Sequence, residues 1–123
     1  MTSTQQQVRN ILLIEDDDDT RLTLKAELSE EGYSVRTAID RDEAQQHLNR
    51  ALFQVILMDL CMPGKAAHDF IALVRKKCPQ SKIILMTAIN NVAPAAARLG
   101  IAYIGKPFTH EALIGMLQTV DQP

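Results

Sequence analysis

The stretch NILLIEDDDDTR, Asn10 to Arg21, decides the fold. Four apolar residues, Ile11 to Ile14, run without a polar interruption into five acids, Glu15 to Asp19. A short apolar run rich in Ile and Leu, with no clean alternation, is the pattern of a strand buried on both faces, as in a parallel sheet. The acids then mark the carboxyl end of that strand, and Leu24 and Leu28, closed by Gly32, mark a helix behind it. The same unit recurs along the chain. YSVRTA (33–38), QVILMD (54–59), KIILMT (82–87) and AYIGK (102–106) read as further strands. Asp40 with Glu43 three residues on opens a helix carrying Ala44 and Leu48, and Phe70, Leu73 and Val74 lie on another, ended by Pro79. VAPAAARLG (92–100) is a fourth helix stopped at Gly100, and HEALIGMLQTV (110–120) a fifth behind Thr109 as N-cap. Five strand–helix units imply an α/β fold: an open, doubly wound parallel sheet with helices on both faces and right-handed crossovers.

Composition narrows the function classes. At 123 residues and 46% hydrophobic content the chain has material for one core and not for two. Residues 10–121 are expected to form that domain, with 1–9 and 122–123 as loose tails. The formal net charge of −2 leaves no basic footprint for a phosphate backbone, so no direct nucleic-acid contact is expected. The polar opening MTSTQQQVRN lacks a signal-peptide core, and no apolar run approaches a membrane span, so no membrane association and a cytoplasmic location are expected. Cys61 and Cys78 have neither CxxC spacing nor an oxidising context and are expected as free thiols.

In an open parallel sheet, ligands bind beyond the carboxyl ends of the strands, where the strand order reverses. Glu15 and Asp16 follow the first strand, Asp59 ends the third, Thr87 the fourth and Lys106 the fifth, so all five are expected on one rim. Carboxylates about 4 Å apart repel by about 4 kcal/mol per pair at an effective dielectric of 20, so such a cluster needs a cation, a proton or a lysine within it. Oxygen donors suit a hard divalent ion, Mg2+ above all.

LIEDD after strand one, LMDLCMPG at the end of strand three, MTA at strand four and YIGKPF at strand five together resemble the receiver domain of bacterial two-component response regulators. The resemblance spans residues 10 to about 120 and implies a flavodoxin-like, chemotaxis-regulator-like sheet of order 2-1-3-4-5. It implies that a histidine kinase, or a histidine phosphotransfer protein, passes a phosphoryl group to Asp59, with Mg2+ as cofactor. In this reading Asp16 holds the ion directly and Glu15 through water, while Asp59 and the Cys61 carbonyl complete the protein ligands. Lys106 pairs with Asp59 before transfer and with a phosphoryl oxygen afterwards, and its bond to Pro107 is expected to be cis. Thr87 binds the phosphoryl group, and Tyr103 is the aromatic that turns inward when Thr87 moves.

Asp17, Asp18 and Asp19 are left for the start of the first helix, where negative charge meets the positive end of the macrodipole. His47, His68 and His110 have no metal spacing and are expected as ordinary surface or boundary residues. A flavodoxin-type electron carrier would need a Ser-, Thr- and Gly-rich phosphate loop where this chain has acids. A haloacid-dehalogenase-type phosphatase would need DxD, whereas Leu60 and Cys61 follow Asp59. A receiver that has lost phosphorylation would lack one of the five rim groups, and all five are present.

The resemblance places the output on the surface of helix four, strand five and helix five, which would serve an attached output domain or a downstream protein. Cys61 and Ile89, two residues beyond the acceptor and the hydroxyl, offer little polar help to an attacking water, so slow hydrolysis is expected. Thr87 to Lys106 is a step of 19 residues, about one helical turn shorter than such domains commonly use. With only Arg98 charged between Val92 and Leu99, the symmetric charged dimer of transcription-factor receivers is not expected.

Overall fold

The computed structural model describes residues 10–59, 64–87 and 100–120. Five strands, β1 (Asn10–Ile14), β2 (Ser34–Ala38), β3 (Val55–Asp59), β4 (Lys82–Thr87) and β5 (Ala102–Gly105), form one parallel sheet of order β2-β1-β3-β4-β5. The helices are α1 (Asp18–Glu30), α2 (Arg41–Arg50), α3 (Gly64–Lys77) and α4 (His110–Val120). Here α4 is the fifth of the expected helices; the fourth, with Ile89 and the shortened step, lies outside the described residues.

The period of two along each strand divides the core. Ile11 and Leu13 of β1, Val55 and Leu57 of β3, and Ile84 and Met86 of β4 face Leu24 and Leu28 of α1 and Leu113 and Leu117 of α4. Leu12 and Ile14, Ile56 and Met58, and Ile83 and Leu85 face Ala44 and Leu48 of α2 and Phe70, Ile71 and Val74 of α3. Burying each such aliphatic side chain is worth about 1.5–3 kcal/mol, which is why the three central strands carry no polar residue between their first and last positions.

The edge strands differ from the expectation of burial on both faces. In β2 only Ala38 is fully buried, and Ser34 and Arg36 are exposed, because no strand lies beyond it and its outer side meets water. Only Ile104 is fully buried in β5, at the other edge.

The expected helix signals act where the sequence puts them. Asp40 accepts the Glu43 N–H at 2.9 Å, while the Glu43 carboxylate reaches back to the Ile39 N–H at 2.9 Å, closing a capping box displaced by one residue. Thr109 Oγ1 accepts the Ala112 N–H at 3.0 Å. At the end of α1 the Tyr33 N–H returns to the Leu28 carbonyl at 3.1 Å through Gly32, whose φ of 98° favours a residue without a Cβ.

Candidate functional site at the carboxyl rim of the sheet

Register sets the site. Ile14 of β1 pairs with Met58 of β3, so Glu15 and Asp59, one residue further along each chain, come side by side where the chain changes direction across the sheet. Thr87 pairs with Gly105 at the ends of β4 and β5, and Lys106 follows at once. The carboxylates of Glu15, Asp16 and Asp59 offer oxygens that all lie within 4.8 Å of one another.

Glu15 is only 1% exposed, the one buried charged residue among the described residues. Its Oε1 accepts from Lys106 Nζ at 2.9 Å, and the same ammonium reaches Asp59 Oδ2 at 3.2 Å. Burial pushes the Glu15 carboxyl up, against the opposing pull of the Lys106 bond. Burial would lower the Lys106 ammonium, but its bonds to Glu15 and Asp59 carry it above the ordinary lysine value. The lysine thus supplies the positive charge that the acid cluster requires. Its peptide bond to Pro107 is cis, as expected.

The β1–α1 turn is tied on several sides. Glu15 donates its N–H to Ala38 O at 3.0 Å, and its Oε2 accepts the Asp17 N–H at 3.2 Å. Asp17 is the N-cap of α1, accepting from Thr20 N–H at 2.8 Å and Thr20 Oγ1 at 2.7 Å. Those bonds, the hydroxyl first, hold its carboxyl below the ordinary aspartate value. Asp18 and Asp19 sit in the first turn, so the acids do divide between rim and helix start. Asp16 is exposed at the tip of the turn.

Residues 11–118 match the response regulator receiver domain family. The chain belongs to that family. It is therefore a phospho-accepting receiver domain of two-component signalling. This receiver domain is 34% identical over 110 residues to the response regulator protein FleR of Pseudomonas aeruginosa, a match covering 87% of the chain and 23% of FleR. The receiver domain spans half or less of the length of the first curated relatives it matches. Its fold superposes on the chemotaxis response regulator CheY4 of Vibrio cholerae with a TM-score of 0.82 at 28% identity, covering 93% of this chain and 99% of that one. TrrA of Thermotoga maritima, solved in complex with Mg(2+)-BeF, matches with a TM-score of 0.80 at 29% identity, over 91% of this chain and 98% of that one.

The rim brings together Glu15, Asp16, Asp59 and Lys106. Cys61 lies outside the described residues, as does the side chain of Thr87. Tyr103 is 41% exposed on β5. Cys78 is a buried free thiol, and among the described residues no helix is long and apolar enough to cross a membrane.

Two residues make contacts that the sequence did not announce. Arg21 reaches from α1 back to the β1–α1 turn, bonding the Glu15 carbonyl and the Asp18 carboxylate. The Asp18–Arg21 spacing was a visible signal for half of that arrangement. His110, expected as an ordinary surface or boundary residue, is part-exposed and also bridges Glu27 and Glu31 of α1. Nothing local in the sequence points to a contact across 79 and 83 positions. His47 Nε2 lies 3.0 Å from Thr37 O, linking α2 to β2, and the side chain of His68 lies outside the described residues.

Proposed function

We propose that Asp59 takes a phosphoryl group from the phosphohistidine of a histidine kinase or histidine phosphotransfer protein, with Mg2+ held by Glu15, Asp16 and Asp59 and by the Cys61 carbonyl. The observation that carries this reading is the meeting of three carboxylates and one ammonium at the reversal point of the sheet. All the donors are hard oxygens, and the exposed Asp16 leaves room for the waters that Mg2+ keeps. Bound Mg2+ would cancel charge on the phosphoryl oxygens.

The chain's own groups then do the rest. A carboxylate oxygen of Asp59 attacks phosphorus, the P–N bond breaks, and its electron pair stays on the imidazole nitrogen of the donor, leaving an acyl phosphate on Asp59. Lys106, already 3.2 Å from Asp59, needs only a short shift to pair with a phosphoryl oxygen. The domain thus catalyses its own phosphorylation and dephosphorylation. A cleft of about 510 Å³ between α1 and the loop at Lys106, Pro107 and Phe108 opens beside this rim and offers the donor an approach. Thr87 and Tyr103 relay the change to the face carrying β5 and α4, which would act on an output domain or a downstream protein.

Intact-mass analysis after incubation with acetyl phosphate tests the proposal. A single phosphoryl adduct is expected with Mg2+ and none in excess chelator, and Asp59→Asn should abolish it. An adduct that persists in Asp59→Asn, or forms equally without the metal, overturns the assignment.

A further inference from the structure

Arg21 is a surface-helix residue by position, yet its side chain is only 14% exposed, low for a group that ordinarily keeps its head in water. Its guanidinium folds back over the β1–α1 turn. Nη1 donates to the main-chain carbonyl of Glu15 at 3.1 Å, and Nη2 donates to Asp18 Oδ1 at 2.5 Å.

The Glu15 carbonyl shares one rigid peptide plane with the Asp16 N–H. A bond to that oxygen therefore sets the direction in which the chain enters Asp16. The neighbouring atoms are tied already: the Glu15 N–H to Ala38 O at 3.0 Å, the Asp17 N–H to Glu15 Oε2 at 3.2 Å, and the Asp17 carboxylate to Thr20. Arg21 holds the plane between those anchors. We infer that Arg21 is a positioning residue of the Mg2+ site, bracing the backbone so that the Asp16 carboxylate is presented beside Glu15 and Asp59 before the ion arrives.

The inference rests on the Mg2+ reading proposed above, and simple charge counting opposes it. A cation beside a cation site should weaken Mg2+ binding. Asp18 answers that objection, because its carboxylate pairs with the guanidinium and leaves a brace with little net charge. The two accounts predict opposite signs. If positioning dominates, loss of Arg21 weakens Mg2+ binding; if repulsion dominates, loss strengthens it.

The test is a Mg2+ titration of the 15N-labelled domain, following the amide signals of Asp16 and Asp17. Arg21→Met is expected to raise the dissociation constant about tenfold, the lower end of what removing a partner of a metal ligand costs. Arg21→Lys keeps the charge but not the planar fork that spans two acceptors, so it should also weaken binding, by about threefold or more. In both variants the metal-free Asp16 amide should exchange its hydrogen faster than in the wild type. If Arg21→Met fails to fold, Arg21→Lys decides alone by the same two readouts. Wild-type affinity in both variants, or tighter binding in Arg21→Met, overturns the positioning role while leaving the Mg2+ site standing. A wild-type domain that shows no Mg2+ titration removes both.

Discussion

The two ends of α1 are both acidic, and they are held by different means. At the amino end Asp17, Asp18 and Asp19 meet the positive pole of the helix macrodipole, and Asp17 satisfies one orphan N–H group, that of Thr20, with its own carboxylate. That cap bond spans only three residues. At the carboxyl end Glu27, Glu30 and Glu31 face the negative pole, and the last turn holds no basic residue. Relief comes from another helix. His110, the first residue of α4, sets Nε2 3.0 Å from Glu31 Oε2 and Nδ1 3.4 Å from Glu27 Oε1. A charge pattern that suits one end of a helix strains the other, and tertiary structure brings to that end a histidine that is a cation when protonated.

The comparison breaks most severely if the packing common to both ends is removed. Leu28 is fully buried, and its carbonyl receives the Glu31 and Tyr33 N–H groups that close the carboxyl end. Leu28→Ala should cost about 3 kcal/mol in urea unfolding. Leu22→Ala, on the exposed side of the same helix, should stay within about 0.5 kcal/mol. Equal losses would mean that burial does not anchor α1.

A smaller effect is expected at the amino end. Asp17→Ala removes the acceptor for Thr20 and should lower the melting temperature by several degrees, read by circular dichroism. Asp17→Asn keeps an acceptor oxygen and should recover most of that loss. If the two variants melt alike, charge and not hydrogen bonding holds this end.

The smallest effect belongs to the carboxyl end and depends on pH. The bond to Glu31 raises His110 above the ordinary histidine value; burial opposes that rise, and the bond to Glu27 and the charge of both carboxylates add to it. The facing groups are those two carboxylates of α1, while Glu111 is exposed next to it on α4. The folded state therefore holds the proton more tightly than the unfolded chain. The stabilisation is complete below about pH 6.5, the unfolded value, and is lost as pH rises through the folded one. Comparing wild type with His110→Gln between pH 5.5 and 8.5 should show the wild-type advantage fading with rising pH. Added salt should shrink it further, since the group is partly exposed. A constant difference across that range would mean that His110 acts as a neutral hydrogen-bonding residue.

Much of this molecule was legible before any coordinates. The apolar runs of β1, β3 and β4 specify strands buried on both faces, because no polar side chain could be hidden there without a partner. The acids at 15, 16 and 59 and the lysine at 106 stand at strand ends, and a parallel sheet delivers all strand ends to one rim. Asp17, Asp40 and Thr109 announce helix starts through bonds that span only three residues. The edge strands were less legible: β2 carries Ser34 and Arg36 because of its place in the sheet, which is a property of strand order and not of the strand itself.

What the sequence alone determined are the short-range and periodic features: strand and helix identity, the caps, and the set of residues bound for the rim. Local geometry and the cost of burying polar groups dictate these wherever the chain folds at all. Tertiary structure alone decided that Lys106 would reach Glu15 as well as its expected partner Asp59, that Arg21 would bend back to the Glu15 carbonyl, and that His110 would close the acidic end of α1. Each joins groups carried by different elements. Such contacts form through the register of the sheet and the packing of helices upon it, and neither is written in any single stretch of the chain.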